Sequence, residues 1–107
     1  MTFCNINYDG NLHKIVCIGH SGSDDICNAA STLLQSLAGW LQSSDEVEIK
    51  RMEMKPGDVT IVFVGGRQAL ELVEVGMLQL QILAPELIKV SSRHSGMIYK
   101  LISLPNG

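Results

Sequence analysis

No stretch of this sequence is apolar for long enough to cross a bilayer, since no uninterrupted run approaches the roughly 20 residues that a span requires. A membrane partner is therefore not expected. The first residues hold no basic segment running into a continuous apolar one, so no secretory leader is expected and the cytoplasm is the expected compartment. Cysteine is sparse. The three present, Cys4, Cys17 and Cys27, are odd in number and lack CxxC spacing, which fits a reducing compartment better than a disulfide framework. Charge is sparse too: 8 Lys and Arg against 11 Asp and Glu leave a net −3. Without a basic patch, direct binding of nucleic acid is not expected. Internal repeats and low-complexity tracts are absent. So are GxGxxG and GxxxxGK[ST], and Gly65-Gly66-Arg67 therefore reads as a turn rather than a phosphate loop.

What is there fits one domain. The 107 residues can build a real core but not two, and 46% of them are hydrophobic. Residues 2–8 predict a first strand, and Asp9-Gly10 supplies the turn into a second over 12–18. Alternation puts His13, Ile15 and Cys17 on one face of that strand and Leu12, Lys14, Val16 and Ile18 on the other. Both sets are largely apolar, which predicts a central strand. After a turn at 21–23, Ser23 or Asp24 can cap a helix whose stripe is Ile26, Ala30, Leu33, Leu34, Leu37 and Leu41. Strands over 47–54 and 59–64 follow, joined by Lys55-Pro56-Gly57-Asp58, where Pro then Gly suits a type II turn. Residues 68–83 fit either period, and their length and good helix formers favour a helix despite Gly76. Residues 87–90 predict a short strand, 91–96 a turn with an exposed His94, and 97–104 a further strand before a frayed end. The expected class is α+β, in the order β-β-α-β-β-α-β, with a mainly antiparallel sheet carrying two helices.

Chemistry concentrates between Gly19 and Leu41. An apolar strand ends in Gly19-His20, and Cys27 follows in the first turn of the predicted helix. A thiol is nucleophilic as thiolate, and a helix N-terminus or a nearby imidazolium lowers its pKa. His20 as base, Cys27 as nucleophile and Asp24 as orienting carboxylate would suit acyl transfer, with amides at the helix start facing an oxyanion. Residue types alone leave a plainer alternative, with Cys27 a small core residue and His20 the end of a strand. A metal centre of His13, Cys17, His20 and Cys27 is disfavoured because the paired short spacings of structural zinc sites are absent. Cys4 and Cys17 are expected to pack as small apolar residues. Met52 and Met54 follow a strand pattern, and Trp40 fits either a core position or a contact between subunits.

Gly19-His20, then Asp24-Asp25-Ile26-Cys27-Asn28-Ala29-Ala30-Ser31, resembles the Prp family of ribosomal-processing cysteine proteases. The family signature is Gly-His-Ala followed by Asp-Ile-Val-Cys-Ala-x-x-Ser. Aligned on the cysteine, the resemblance makes Cys27 the nucleophile and His20 the catalytic histidine, with Asp24 and Ser31 as supporting residues. It extends over about residues 1–92, including Pro85, Ile88 and Val90 near the closing strand, and leaves about 93–107 as an extra strand and tail. It implies a cytoplasmic, homodimeric cysteine endopeptidase that needs no metal or cofactor. Its partner would be the N-terminal extension of a large-subunit ribosomal protein, cut after aromatic residues, or a virion protein in related phage enzymes. A binding module that keeps the fold without turnover is the alternative. The departures lie around the thiol: only residues 21–26 separate His20 from Cys27, Ser21 replaces Ala, and Asn28 replaces Ala.

Overall fold

The computed structural model describes residues 1–95. Its elements are β1 (Thr2–Asp9), β2 (Leu12–Ile18), α1 (Asp24–Ser43), β3 (Glu48–Lys55), β4 (Asp58–Val64), α2 (Arg67–Leu83) and β5 (Ile88–Ser95). They form one five-stranded sheet in the order β3-β4-β2-β1-β5, with β2 at its centre as the alternation predicts. Three neighbouring pairs are antiparallel, and β5 joins β1 in parallel. The class is α+β and the element order is the expected one.

Registry stacks the inward residues in rows. Tyr8, His13 and Phe63 form one row, Ile6, Ile15 and Ile61 the next, and Cys4, Cys17 and Val59 a third. With the buried stripes of both helices they make a single core, so the helices cover this face alone. The other face stays open to solvent, and Leu12 and Ile18 on it are 43% and 50% exposed. Its apolar character marks a central strand without a second layer above it.

Helix α1 starts where the sequence places it. The Ser23 side chain accepts from the Ile26 amide, and Asp24 and Asp25 occupy the first turn. Leu34, Leu37 and Leu41 are buried along its stripe, each contributing about 1.5–3 kcal/mol. Helix α2 resolves the ambiguous stretch into 17 continuous residues. Gly76 has a reason to be there: a Cβ on it would lie 2.8 Å from both methyls of Leu33, so its bareness lets α1 and α2 approach closely.

One expectation fails. Residues 91–95 are strand rather than turn: they extend β5 and pair with Asn5–Asp9 of β1. The polar run Ser91-Ser92-Arg93-His94-Ser95 suits an edge strand whose backbone is recruited by β1, so composition misleads there. His94 is accordingly half-buried, its ring stacked 4.4 Å from that of Tyr8. The strand expected over 97–104 lies outside the described residues.

Candidate active site

Strand β2 ends at Ile18, and the chain leaves it through Gly19, whose φ is 96°. The Gly19 amide donates to the Gly57 carbonyl at 2.9 Å, tying this exit to the turn between β3 and β4. That turn has the two-residue form expected, with Lys55 paired to Asp58 and Gly57 at a φ of 72°. A Cβ on Gly57 would overlap the His20 ring, lying 2.8 Å from its Cε1, so the ring rests directly against the turn. The β3–β4 hairpin thus positions His20 on one side of the site.

Cys27 comes from the other side, in the first turn of α1. Its amide donates to the Ser23 carbonyl at 3.0 Å, which fixes the backbone of the nucleophile candidate in the helix. Unlike Cys4 and Cys17, which are buried, Cys27 is half-exposed. The core reading of this cysteine is set aside by that exposure. Cys27 and His20 border the same cavity of about 360 Å³, as does Ser31 one turn further along α1. The floor is apolar, formed by Cys17, Ala30, Leu34 and Val59, and Met54 and Pro56 of the hairpin close one wall.

The polar partner of Cys27 is one that sequence reasoning missed. Ser21 Oγ lies 3.0 Å from Cys27 Sγ. This hydroxyl holds the thiol below its ordinary pKa, helped by the backbone of Ser21 and Gly22 and opposed by partial burial and the Asp24 carboxylate. The sequence signals it only as a polar residue where the Prp signature that the chain resembles has Ala. No hydrogen bond joins His20 to Cys27 among the described residues, although both face the cavity. Asp24 is exposed in the first turn, while Ser23 takes the capping position.

His13 belongs elsewhere. It sits near the opposite end of β2, 2% exposed, with Nδ1 3.0 Å from the Gly65 carbonyl and its ring against Tyr8 and Phe63. Burial is the main cause of its lowered pKa. The four-ligand metal grouping is not assembled, and no cluster of three His, Cys, Asp or Glu side chains suited to a metal occurs among the described residues. Cys4 and Cys17 face each other across β1 and β2, and their contact and burial push the Cys17 thiol up. Gly65 and Gly66 form a turn at positive φ leading into α2, and Arg67 lies over the Tyr8 ring at 4.8 Å. Trp40 is 44% exposed at the end of α1, so it is not a core residue. No helix among the described residues is long and apolar enough to cross a membrane.

No family model matches the sequence. No curated protein matches it either. Solved structures do resemble it. Prp from S. aureus, an essential ribosomal processing protease in complex with a covalently linked product peptide, superposes with a TM-score of 0.74 at 17% identity, over 86% of this chain and 99% of that one. The same protease with a substrate peptide gives 0.69 at 16% identity, over 86% and 99%. SMU.848 from Streptococcus mutans gives 0.71 at 18% identity, over 89% and 96%. At these identities the likeness is one of fold.

Proposed function

We propose, from the fold shared with the Prp structures, that this chain is a cysteine endopeptidase acting on an N-terminal peptide of a ribosomal protein. The observation that carries the reading is the single cavity bordered by the half-exposed Cys27, by His20 and by Ser31. Cys27 is the nucleophile and His20 the general base. The thiol proton passes to His20, and Sγ bonds to the scissile carbonyl carbon as the carbonyl π pair moves onto oxygen. Collapse expels the amine with the proton from His20, and water then releases the acyl group. His20 borders the cavity from its place against the Gly57 turn, and a base-to-nucleophile contact of this kind commonly tightens only when substrate binds.

The apolar floor suits a bulky apolar side chain on the acyl side of the cut, in keeping with cleavage after aromatic residues. A volume of about 360 Å³ lies in the ordinary range for ligand pockets. Three free cysteines suit work in a reducing cytoplasm. The exposed apolar side chains of α2, among them Leu72 at 73% and Ile82 at 77%, support action as a homodimer. Ser31, which borders the cavity, is the supporting residue from the helix, whereas the exposed Asp24 acts on the thiol only through its charge, which disfavours the thiolate.

The test is incubation with peptides spanning ribosomal-protein N-termini, with capsid N-termini as the second set. Cleavage after an aromatic residue, lost in Cys27→Ala, is expected. Cleavage that survives Cys27→Ala overturns the assignment. Cleavage of the capsid set alone would move the role to virion processing. Binding of a peptide without cleavage would leave a binding module.

A further inference from the structure

Ser21 is 3% exposed, one of four polar side chains buried among the described residues. Its hydroxyl has three neighbours. The Ser23 amide donates to it at 3.1 Å, the Ser23 carbonyl stands 2.9 Å away as an acceptor, and Cys27 Sγ lies at 3.0 Å. A hydroxyl has one proton, so it donates to the carbonyl or to the sulfur but not to both. When Cys27 is a thiol, S–H donates to Ser21 Oγ, which in turn donates to the Ser23 carbonyl. When Cys27 is a thiolate, the sulfur only accepts, and the hydroxyl must turn towards it. The turn strands nothing, because the Cys27 amide still donates to the Ser23 carbonyl at 3.0 Å.

We propose that Ser21 is a positioning residue for the nucleophile, its hydroxyl rotating from the Ser23 carbonyl to the Cys27 sulfur to hold the thiolate at the cavity. The proposal rests on Cys27 being the nucleophile described above. A hydrogen bond to an ion is stronger than one between neutral groups, so the rotation favours the anion. The lowered pKa of Cys27 agrees in direction, with this hydroxyl as its largest cause. No proton leaves Ser21. As Sγ bonds to the carbonyl carbon and the π pair moves onto oxygen, the sulfur loses its charge and the hydroxyl swings back to Ser23. The arrangement keeps the thiolate in place while His20 rests against the Gly57 turn.

Alkylation of the native full chain by iodoacetamide across a range of pH reads this directly. The thiolate forms the S–C bond as the C–I bond breaks with its pair leaving on iodide, and mass spectrometry counts label on Cys27. Ser21→Ala is expected to raise the midpoint by about one unit, a roughly tenfold smaller thiolate fraction at low pH. A more basic thiolate is intrinsically about threefold more nucleophilic. The rate therefore falls about threefold at low pH and rises about threefold on the alkaline plateau, a crossing that a merely loosened turn does not produce. Ser21→Thr, which keeps the hydroxyl, is expected to restore the midpoint. A folded Ser21→Ala with an unmoved midpoint overturns the proposal. If Ser21→Ala fails to fold, the native chain still decides. The Ser23 amide resonance must titrate with Cys27 and stay flat in Cys27→Ala, and a flat trace in the native chain overturns the proposal. A displaced midpoint in a protein that cuts no peptide removes the peptidase reading alone, whereas peptide cleavage with an unmoved midpoint removes the role of Ser21 alone.

Discussion

Gly57→Ala acts on the joint between the β3–β4 turn and the His20 ring. Gly57 holds a φ of 72°, where an L side chain is strained, and the substitution should cost about 1 kcal/mol of stability on that ground. A second effect is specific to this position. The new Cβ would stand 2.8 Å from His20 Cε1. Carbon atoms rest at about 3.5–4.0 Å, so the ring must retreat by about 1 Å. A displacement of that size in a catalytic group costs on the order of 10²-fold in rate. Gly10→Ala separates the two effects, because Gly10 has a φ of 60° and nothing within 4 Å of its would-be Cβ. Urea unfolding should show similar losses for both variants, while peptide cleavage should fall on the order of 10²-fold for Gly57→Ala and hardly at all for Gly10→Ala. Equal cleavage by the two variants refutes the claim that the hairpin turn sets the position of His20.

Acid should weaken the fold through His13. Its folded pKa lies below the ordinary 6.5, so as pH falls the unfolded chain takes up the proton first. The contribution is whole above about 6.5 and shrinks below it, by up to about 1.4 kcal/mol per pH unit until the folded pKa is reached. Urea midpoints measured at a series of pH values check this, and His13→Gln should flatten that part of the profile. Gly76 and Leu33 should couple. In a Leu33→Ala background, Gly76→Ala gains helix propensity of about 1 kcal/mol without the collision, whereas in the native background the clash with Leu33 removes most of it. A double-mutant cycle by thermal unfolding reads the difference.

Much of this fold is legible in the residues because local signals agree. Asp9-Gly10 and Pro56-Gly57 each fix a hairpin, Ser23 fixes the start of α1, and alternation in β2 sorts its residues onto two faces by type alone. Other features depend on distant partners. Gly76 reads as a liability in a helix until Leu33 is placed opposite it. Residues 91–95 read as a turn because Ser, Arg and His carry no strand signal, and only the backbone of β1 makes them a strand. The candidate site divides in the same way. Cys27 and His20 stand out by residue type and by where they fall relative to strand and helix. The pairing of Ser21 with the thiol depends on how six residues fold back on themselves, which no periodicity encodes.

The parallel pairing of β5 with β1 also governs when the site comes into being. The two hairpins join neighbours in sequence and can close within microseconds. Thr2, which borders the cavity, instead pairs with Ile88, and its amide donates to the Leu87 carbonyl at 2.9 Å. Contacts of such long sequence separation are slow to form, because loop closure precedes any reward from them. During synthesis, Cys27 and His20 leave the ribosome long before β5 does. The pairing of Thr2 with Ile88 is made only once β5 has emerged, so a growing chain holds these side chains on a sheet that still lacks its last strand.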